Sequence, residues 1–138
     1  MSDTVTFTPS DVVAKMRELA AERPDYVYDN EGMGNSMDGF SPTSCFYRHG
    51  EDRERAGCIV GQALDRLGYV VPEELEGSTS TYVLNYIFGA GTATQEGMAD
   101  IRWVRDVQSQ QDIGSTWGKA VAHADAVAES YLYSPVVA

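Results

Sequence analysis

The chain has 138 residues, 43% of them hydrophobic, and a formal charge of −11 from 21 acidic and 10 basic side chains. That length suits one domain with a single buried core that needs neither disulfides nor metals. The charge argues against direct binding to nucleic acid or to an anionic membrane surface, since both demand clustered Lys and Arg.

No run approaches the roughly 18 apolar residues that cross a bilayer, and the opening MSDTVTFTPSD lacks the basic start and apolar core of a secretory signal. A cytoplasmic protein is expected, and there Cys45 and Cys58 read as reduced thiols rather than a bridge. The acids are unevenly placed. Pro24 to Tyr47 holds Asp25, Asp29, Glu31 and Asp38 with no base, and Leu67 to Ile101 holds Glu73, Glu74, Glu76, Glu96 and Asp100 with no base. Two such zones suit a basic partner, although acidic surfaces also serve plain solubility.

In chain order, Thr8-Pro9-Ser10-Asp11 is a helix start, with Thr8 as cap, Pro9 in the first turn and Asp11 in the capping-box position. The helix is expected to run to about Arg23 and to bury Val12, Val13, Met16, Leu19 and Ala20, with Pro24 as its stop. Residues 25–44, rich in Gly, Asn, Ser and Asp, show no sustained period and read as a loop of about twenty residues with room for a short strand at Tyr26 to Tyr28. A loop of that length is usually functional or mobile, and Met33, Met37 and Phe40 give it adaptable apolar contact points. Its Asp29, Glu31 and Asp38 lack the ordered spacing and closing Glu of a calcium loop.

Cys45-Phe46-Tyr47 reads as extended, His49 to Ala56 as a charged turn, and Cys58 to Leu67 as a helix ended by Gly68 and facing the core with Ile59, Val60, Ala63, Leu64 and Leu67. Gly57 and Gly61, four apart, leave room for close approach of a neighbour, a weak signal in such proteins. Pro72-Glu73-Glu74-Leu75 suggests a helical turn with acids at its start. Thr81 to Phe88 permits strand or helix; helix is favoured because its neighbours are helical, and Gly89-Ala90-Gly91 ends it. Met98, Ile101, Val104 and Val107, then Trp117, Ala120, Val121, Ala124, Val127, Ala128, Tyr131 and Leu132, mark the apolar faces of two helices. Gly114 stops the first and Ser115 or Thr116 caps the second, giving a helical hairpin. The apolar tail Val136-Val137-Ala138 could dock on its own domain or on a second copy, which leaves homo-oligomerisation open.

Chemistry is represented only by fragments. Cys58, near a helix start that can stabilise a thiolate, would need His49 or His123 as base, yet CIVGQAL reads as core. Cys45, His49, Cys58 and His123 lack the paired short spacings of a zinc site. Phosphate-loop, dinucleotide, metalloprotease and nucleophile-elbow motifs are all missing. Trp103 lies just off the main stripe of its helix, where it either completes the core or stands as an exposed anchor.

The succession CFYRHG, GCIVGQALDRLG and VQSQQDIGSTWGKAVAHAD resembles a group of small, functionally uncharacterised proteins encoded by phages of actinobacteria and sometimes by their hosts, over Cys45 to Gly68 and Ile101 to Ala126. The resemblance implies a setting rather than an activity: an accessory gene product working inside an actinobacterial cell. The 25–44 loop and the acidic middle segment depart most from the shared pattern, so specificity is expected there.

The reading is a mainly α single compact domain of about five helices with a long irregular loop at 25–44 and room for a short strand pair. It is expected to be non-catalytic, without cofactor or metal, and to modulate a host protein that presents a basic surface. Met33, Met37, Asp38, Phe40 and Trp103 are the candidate binding residues. The alternatives are a protein that sequesters a small molecule or nucleotide, with Tyr26, Tyr28, Tyr47, Tyr82 and Tyr86 as stacking residues, and a self-assembling structural subunit. Phosphorylated ligands would require Arg48, Arg53 and Arg55 to cluster.

Overall fold

The computed structural model describes residues 5–29, 45–89 and 94–133, with side chains of 130–133 excepted. Most of the expected 25–44 loop, and with it Met33, Met37, Asp38 and Phe40, lies outside the described residues, as does the 134–138 tail. The described residues form a mainly α domain of five helices with one short open hairpin: α1 (Pro9–Glu22), β1 (Arg48–His49), β2 (Arg55–Ala56), α2 (Ile59–Arg66), α3 (Ser80–Phe88), α4 (Gln95–Asp112) and α5 (Trp117–Tyr133). None of these helices is long and apolar enough to cross a membrane.

Helix α1 begins as its sequence dictates. Asp11 N–H donates to Thr8 Oγ1 at 3.2 Å and Thr8 N–H donates to Asp11 Oδ2 at 2.9 Å, so two otherwise orphaned amides are satisfied reciprocally. Its stripe of Val12, Met16, Leu19 and Ala20 is buried, whereas Val13 packs only partly against the core. After α1 the chain turns, and the expected strand at Tyr26–Tyr28 is reduced to an isolated antiparallel bridge between Val27 and Thr116. This crossing seats the chain on the first turn of α5, where Trp117 N–H donates to Tyr26 O and Gly118 N–H to Pro24 O.

The charged turn expected over 49–56 is the two-residue-per-strand hairpin, with Arg48 opposite Ala56 and His49 opposite Arg55. Its ladder continues outward through Gly57 N–H to Tyr47 O and Cys58 N–H to Phe46 O. Gly57 and Gly61 make this possible: a Cβ at Gly57 would collide with the Phe46 carbonyl, and one at Gly61 with the Tyr47 carbonyl. Helix α2 therefore lies directly on the backbone of the 45–47 segment.

A single 3₁₀ turn, Glu73–Leu75, leads to α3. Thr79 caps α3 by accepting from Tyr82 N–H at 3.1 Å, and Gly89, with φ of 53°, ends it. Val83, Leu84 and Ile87 form its buried stripe, the period of a helix rather than of a strand. Helices α4 and α5 pack as the expected helical hairpin. Gly114 turns with φ of 93° and Thr116 Oγ1 accepts from Lys119 N–H, while Trp103 meets Asp125 and Gln111 meets Trp117 across the pair. Ile101, Val104, Val107, Trp117, Ala120 and Ala124 are buried as read, but Met98 is 53% exposed because it lies about 100° round the helix from Gly97, off the face that Gly97, Ile101 and Val104 turn inward.

Candidate functional site

Among the described residues, the most exposed aromatic surface lies on α3. Its helical stripe turns Val83, Leu84 and Ile87 inward, which forces Tyr82 and Tyr86, one turn apart, outward at 58% and 53% exposure. Together with Pro72, Glu74, Leu75 and Ser78 they line an open groove of about 570 Å³. Leu75 is its buried apolar contributor and Glu74 its exposed acid. From residue 67 to 101 the chain carries no Lys or Arg. The same stretch reaches the start of α4, where burial, helped by the neighbouring Glu96 carboxylate, holds the Asp100 carboxyl above its usual range.

A smaller cavity of about 310 Å³ opens between α4 and the start of α3, lined by Cys45, Tyr47, Ser80, Arg105, Gln108 and Asp112 among others. The Tyr47 hydroxyl fixes one wall by donating to Ser78 O at 2.7 Å. Burial drives the Asp112 carboxyl up to about 6, against a hydrogen bond from Gln111 that pulls it down. Gln108 is 6% exposed; its Nε2 donates to Cys58 Sγ at 3.6 Å, and its Oε1 is the one buried side-chain oxygen or nitrogen among the described residues that has no partner.

Trp103, read from sequence as core or anchor, is core at 5% exposure. Its indole N–H donates to Asp125 Oδ1 at 2.9 Å, and Arg17, bidentate to the same carboxylate at 2.7 and 3.0 Å, places its guanidinium 4.7 Å above the ring. The Arg17 pair holds the Asp125 carboxyl below its usual range. An exposed anchor at Trp103 is thereby overturned, because the α1, α4 and α5 packing encloses the ring, leaving it only as part of the wall of a groove with Glu96, Met98, Arg102 and Asp106.

The candidate chemistry does not converge. His49 is buried, and its Nε2 lies 2.7 Å from the Tyr28 hydroxyl, whereas His123 is exposed on α5. The four residues considered for zinc do not assemble: no group of three or more His, Cys, Asp or Glu that could hold a metal occurs among the described residues. Cys45 and Cys58 are free thiols that touch, and burial together with the neighbouring Cys58 pushes the Cys45 thiol well above its ordinary value. The five tyrosines do not share a pocket: Tyr28 and Tyr47 are core, Tyr26 packs edge-on against Trp117 at 4.6 Å beneath Arg23, and only Tyr82 and Tyr86 stand out. Nor do the hairpin arginines form an anion site, since Arg48 pairs with Asp65, Arg53 with Glu76 and Arg55 with Glu54.

Two polar residues in this region have roles that their residue type does not announce. Glu76, counted with the acidic surface, is turned inward, where it accepts from Tyr47 N–H at 2.9 Å, Arg48 N–H at 3.0 Å and Arg53 at 2.6 Å. Gln111 is fully buried, and its Oε1 accepts from Ile59 N–H at 2.9 Å and from the Trp117 indole at 3.2 Å. The available signal for Gln108 and Gln111 was their spacing, which continues the Val104 and Val107 stripe. Comparison with protein-family models, with curated proteins and with solved structures gives no match.

Proposed function

We propose that the chain is a non-catalytic binding protein that engages a basic surface on another protein through the acidic, tyrosine-bearing groove between the 3₁₀ turn and α3. The observation that carries this reading is the pair Tyr82 and Tyr86, more than half exposed beside Glu74 in a stretch without a single basic residue. Tyrosines bring large contact area at little side-chain entropy cost, which is why they concentrate in interface hot spots. The exposed carboxylates of Glu74, in the groove, and Glu73, beside it in sequence, speed encounter with a cationic patch and disfavour acidic partners. In the setting that the sequence resemblance implies, the partner is a protein of the actinobacterial cytoplasm and the chain a phage-type modulator of it.

The test is a tagged pull-down from actinobacterial lysate at low and high salt, repeated with the double variant Tyr82→Ala with Tyr86→Ala. The expected result is a stoichiometric protein with a basic surface, weakened by salt and lost with the double variant. Retention of that protein by the double variant, or indifference to salt, would overturn the groove as its binding surface. The variant Met37→Ala with Phe40→Ala, run in parallel, asks whether the 25–44 segment adds apolar anchors; unchanged affinity removes that segment from the interface.

A further inference from the structure

We propose that Cys45 and Cys58 are a redox pair that a low-molecular-weight disulfide converts reversibly into an intramolecular bond, fastening the 45–47 segment to the start of α2. The inference is independent of the protein-binding groove and holds or fails whatever that groove binds. The two cysteines stand on neighbouring runs of backbone. Cys58 N–H donates to Phe46 O at 2.9 Å and Gly57 N–H to Tyr47 O at 2.8 Å, so Cys58 lies beside the residue that follows Cys45. Gly57 and Gly61, whose Cβ atoms would strike the Phe46 and Tyr47 carbonyls, bring the start of α2 close enough for the two thiols to hydrogen-bond to one another. Both are free thiols in this structure.

The pair is asymmetric in access. Cys58 is fully buried as the N-cap residue of α2, and its Sγ accepts from Gln108 Nε2 at 3.6 Å. Cys45 is half-buried and lines the cavity of about 310 Å³ between α4 and the start of α3, which admits a small reagent. Cys45 is therefore the attacking thiol and Cys58 the resolving one. The Cys45 thiol loses its proton to solvent, and the thiolate attacks one sulfur of the reagent RSSR, breaking its S–S bond and expelling RS⁻. Cys58 then attacks the Cys45 sulfur of that mixed disulfide and displaces the second RS⁻. The protons released by the two cysteines end on the two RS⁻ groups. Two protein thiols are oxidised to one disulfide, and one small disulfide is reduced to two small thiols.

Burial works against the thiolate and not against the bond. It holds the Cys45 thiol well above its ordinary value, so attack is slow at neutral pH. The product is uncharged and suffers no such desolvation. The bond also closes a loop that contains the whole β1–β2 hairpin, which removes chain entropy from the unfolded state. The 45–47 segment that it anchors supports the acidic groove as well: Tyr47 N–H donates to Glu76, the Tyr47 hydroxyl donates to Ser78 O, and Ser78 lines that groove. Oxidation therefore fastens the hairpin, the start of α2 and one support of the groove together.

The experiment is incubation of the full, reduced chain with 2-hydroxyethyl disulfide at about pH 8.5, where thiolate is more populated than at neutrality. Intact mass, peptide mapping, hydrogen exchange and thermal melting follow. The monomer is expected to lose two hydrogens with its helical circular dichroism unchanged, to yield one peptide linked through Cys45 and Cys58, and to regain both thiols in dithiothreitol. Its melting temperature should rise by about 5 °C or more. Exchange of the Gly57 and Cys58 amides should slow by about tenfold or more as local opening is blocked. Cys45→Ser should leave Cys58 unmodified, and Cys58→Ser should stop at the mixed disulfide on Cys45. If Cys58→Ser does not fold, Cys45→Ser, at the half-buried position, and the linked peptide decide the matter. Thiols that stay reduced in the folded chain, a mixed disulfide that persists on the unaltered chain, or disulfide-linked dimers in place of the internal bond overturn the proposal. So does an internal bond that lowers the melting temperature or leaves the Gly57 and Cys58 exchange unchanged.

Discussion

Gln111 shows how a single polar side chain can join three elements. Its one oxygen caps the buried Ile59 amide at the start of α2 and holds the Trp117 indole at the start of α5, while the residue itself belongs to the end of α4. Gln111→Leu keeps the volume but leaves two buried donors without an acceptor, which costs about 2–4 kcal/mol; urea unfolding should show it as a lower midpoint with an unchanged slope. Glu76→Ala removes the acceptor of two hairpin amides and of Arg53, a loss of about 2–3 kcal/mol by the same measurement. Asp112 works in the other direction. Its folded-state pKa, raised by burial from the ordinary carboxyl value to about 6, means that the native state holds its proton more tightly than the unfolded chain does. The group therefore favours folding below about pH 4 and loses that advantage as pH rises through about 6, where ionisation in the fold is costly. Asp112→Asn should accordingly raise the melting temperature at pH 7 to 8 by the equivalent of about 1–2 kcal/mol, after allowance for solvent screening of a half-buried group, and leave it nearly unchanged near pH 4.

At the scale of elements, the helices follow from local chemistry and their close approaches from glycine. The Thr8 capping box, the Thr79 and Thr94 caps and the positive-φ glycines at 68, 89 and 114 set most helix boundaries. These signals act within one turn, so they are readable without knowing what the helix touches. Gly61 is different, because its lack of a side chain matters only when the Tyr47 carbonyl lies against it. Gly61→Ala gains about 1 kcal/mol of helix propensity. It must also push α2 off the 45–47 segment, a strain of about 1–3 kcal/mol. The net expected outcome is destabilisation, with the backbone shifts in an NMR spectrum concentrated at residues 46–48; a stabilised chain with unshifted signals there would refute the close approach. Segment 81–88 illustrates the limit of composition: Tyr, Val and Ile favour strands on average, yet the spacing of Val83, Leu84 and Ile87 makes a one-sided apolar surface only on a helix.

Over the whole molecule, the charge of −11 is distributed against itself. Arg17, Arg48, Arg53 and Arg66 are each engaged by carboxylates, so the acids left over define the electrostatic character of the surface. Self-repulsion of that excess is screened by salt more strongly than the few exposed ion pairs are worth. The melting temperature should therefore rise between low and physiological ionic strength; a fall would mean that the ion pairs between α1, α2 and α5 outweigh the repulsion. The same excess makes association with a basic partner salt-sensitive, which ties the stability measurement to the binding test.

The mainly α class, the order and approximate limits of the helices, the α4–α5 hairpin and most of the apolar core are legible in the chain, because they depend on periodicity and on caps that act over a few residues. The sequence could not show that Glu76 faces inward, that Trp103 is enclosed by Arg17 and Asp125, or that Gln108 and Gln111 continue a buried stripe, since polar type alone predicts exposure. Nor could it foresee that Tyr28 and Tyr47 would be spent on the core while Tyr82 and Tyr86 remained outside. Those outcomes rest on contacts between residues far apart in the chain, and only the tertiary packing decides which polar groups find partners inside and which surfaces are left for something else.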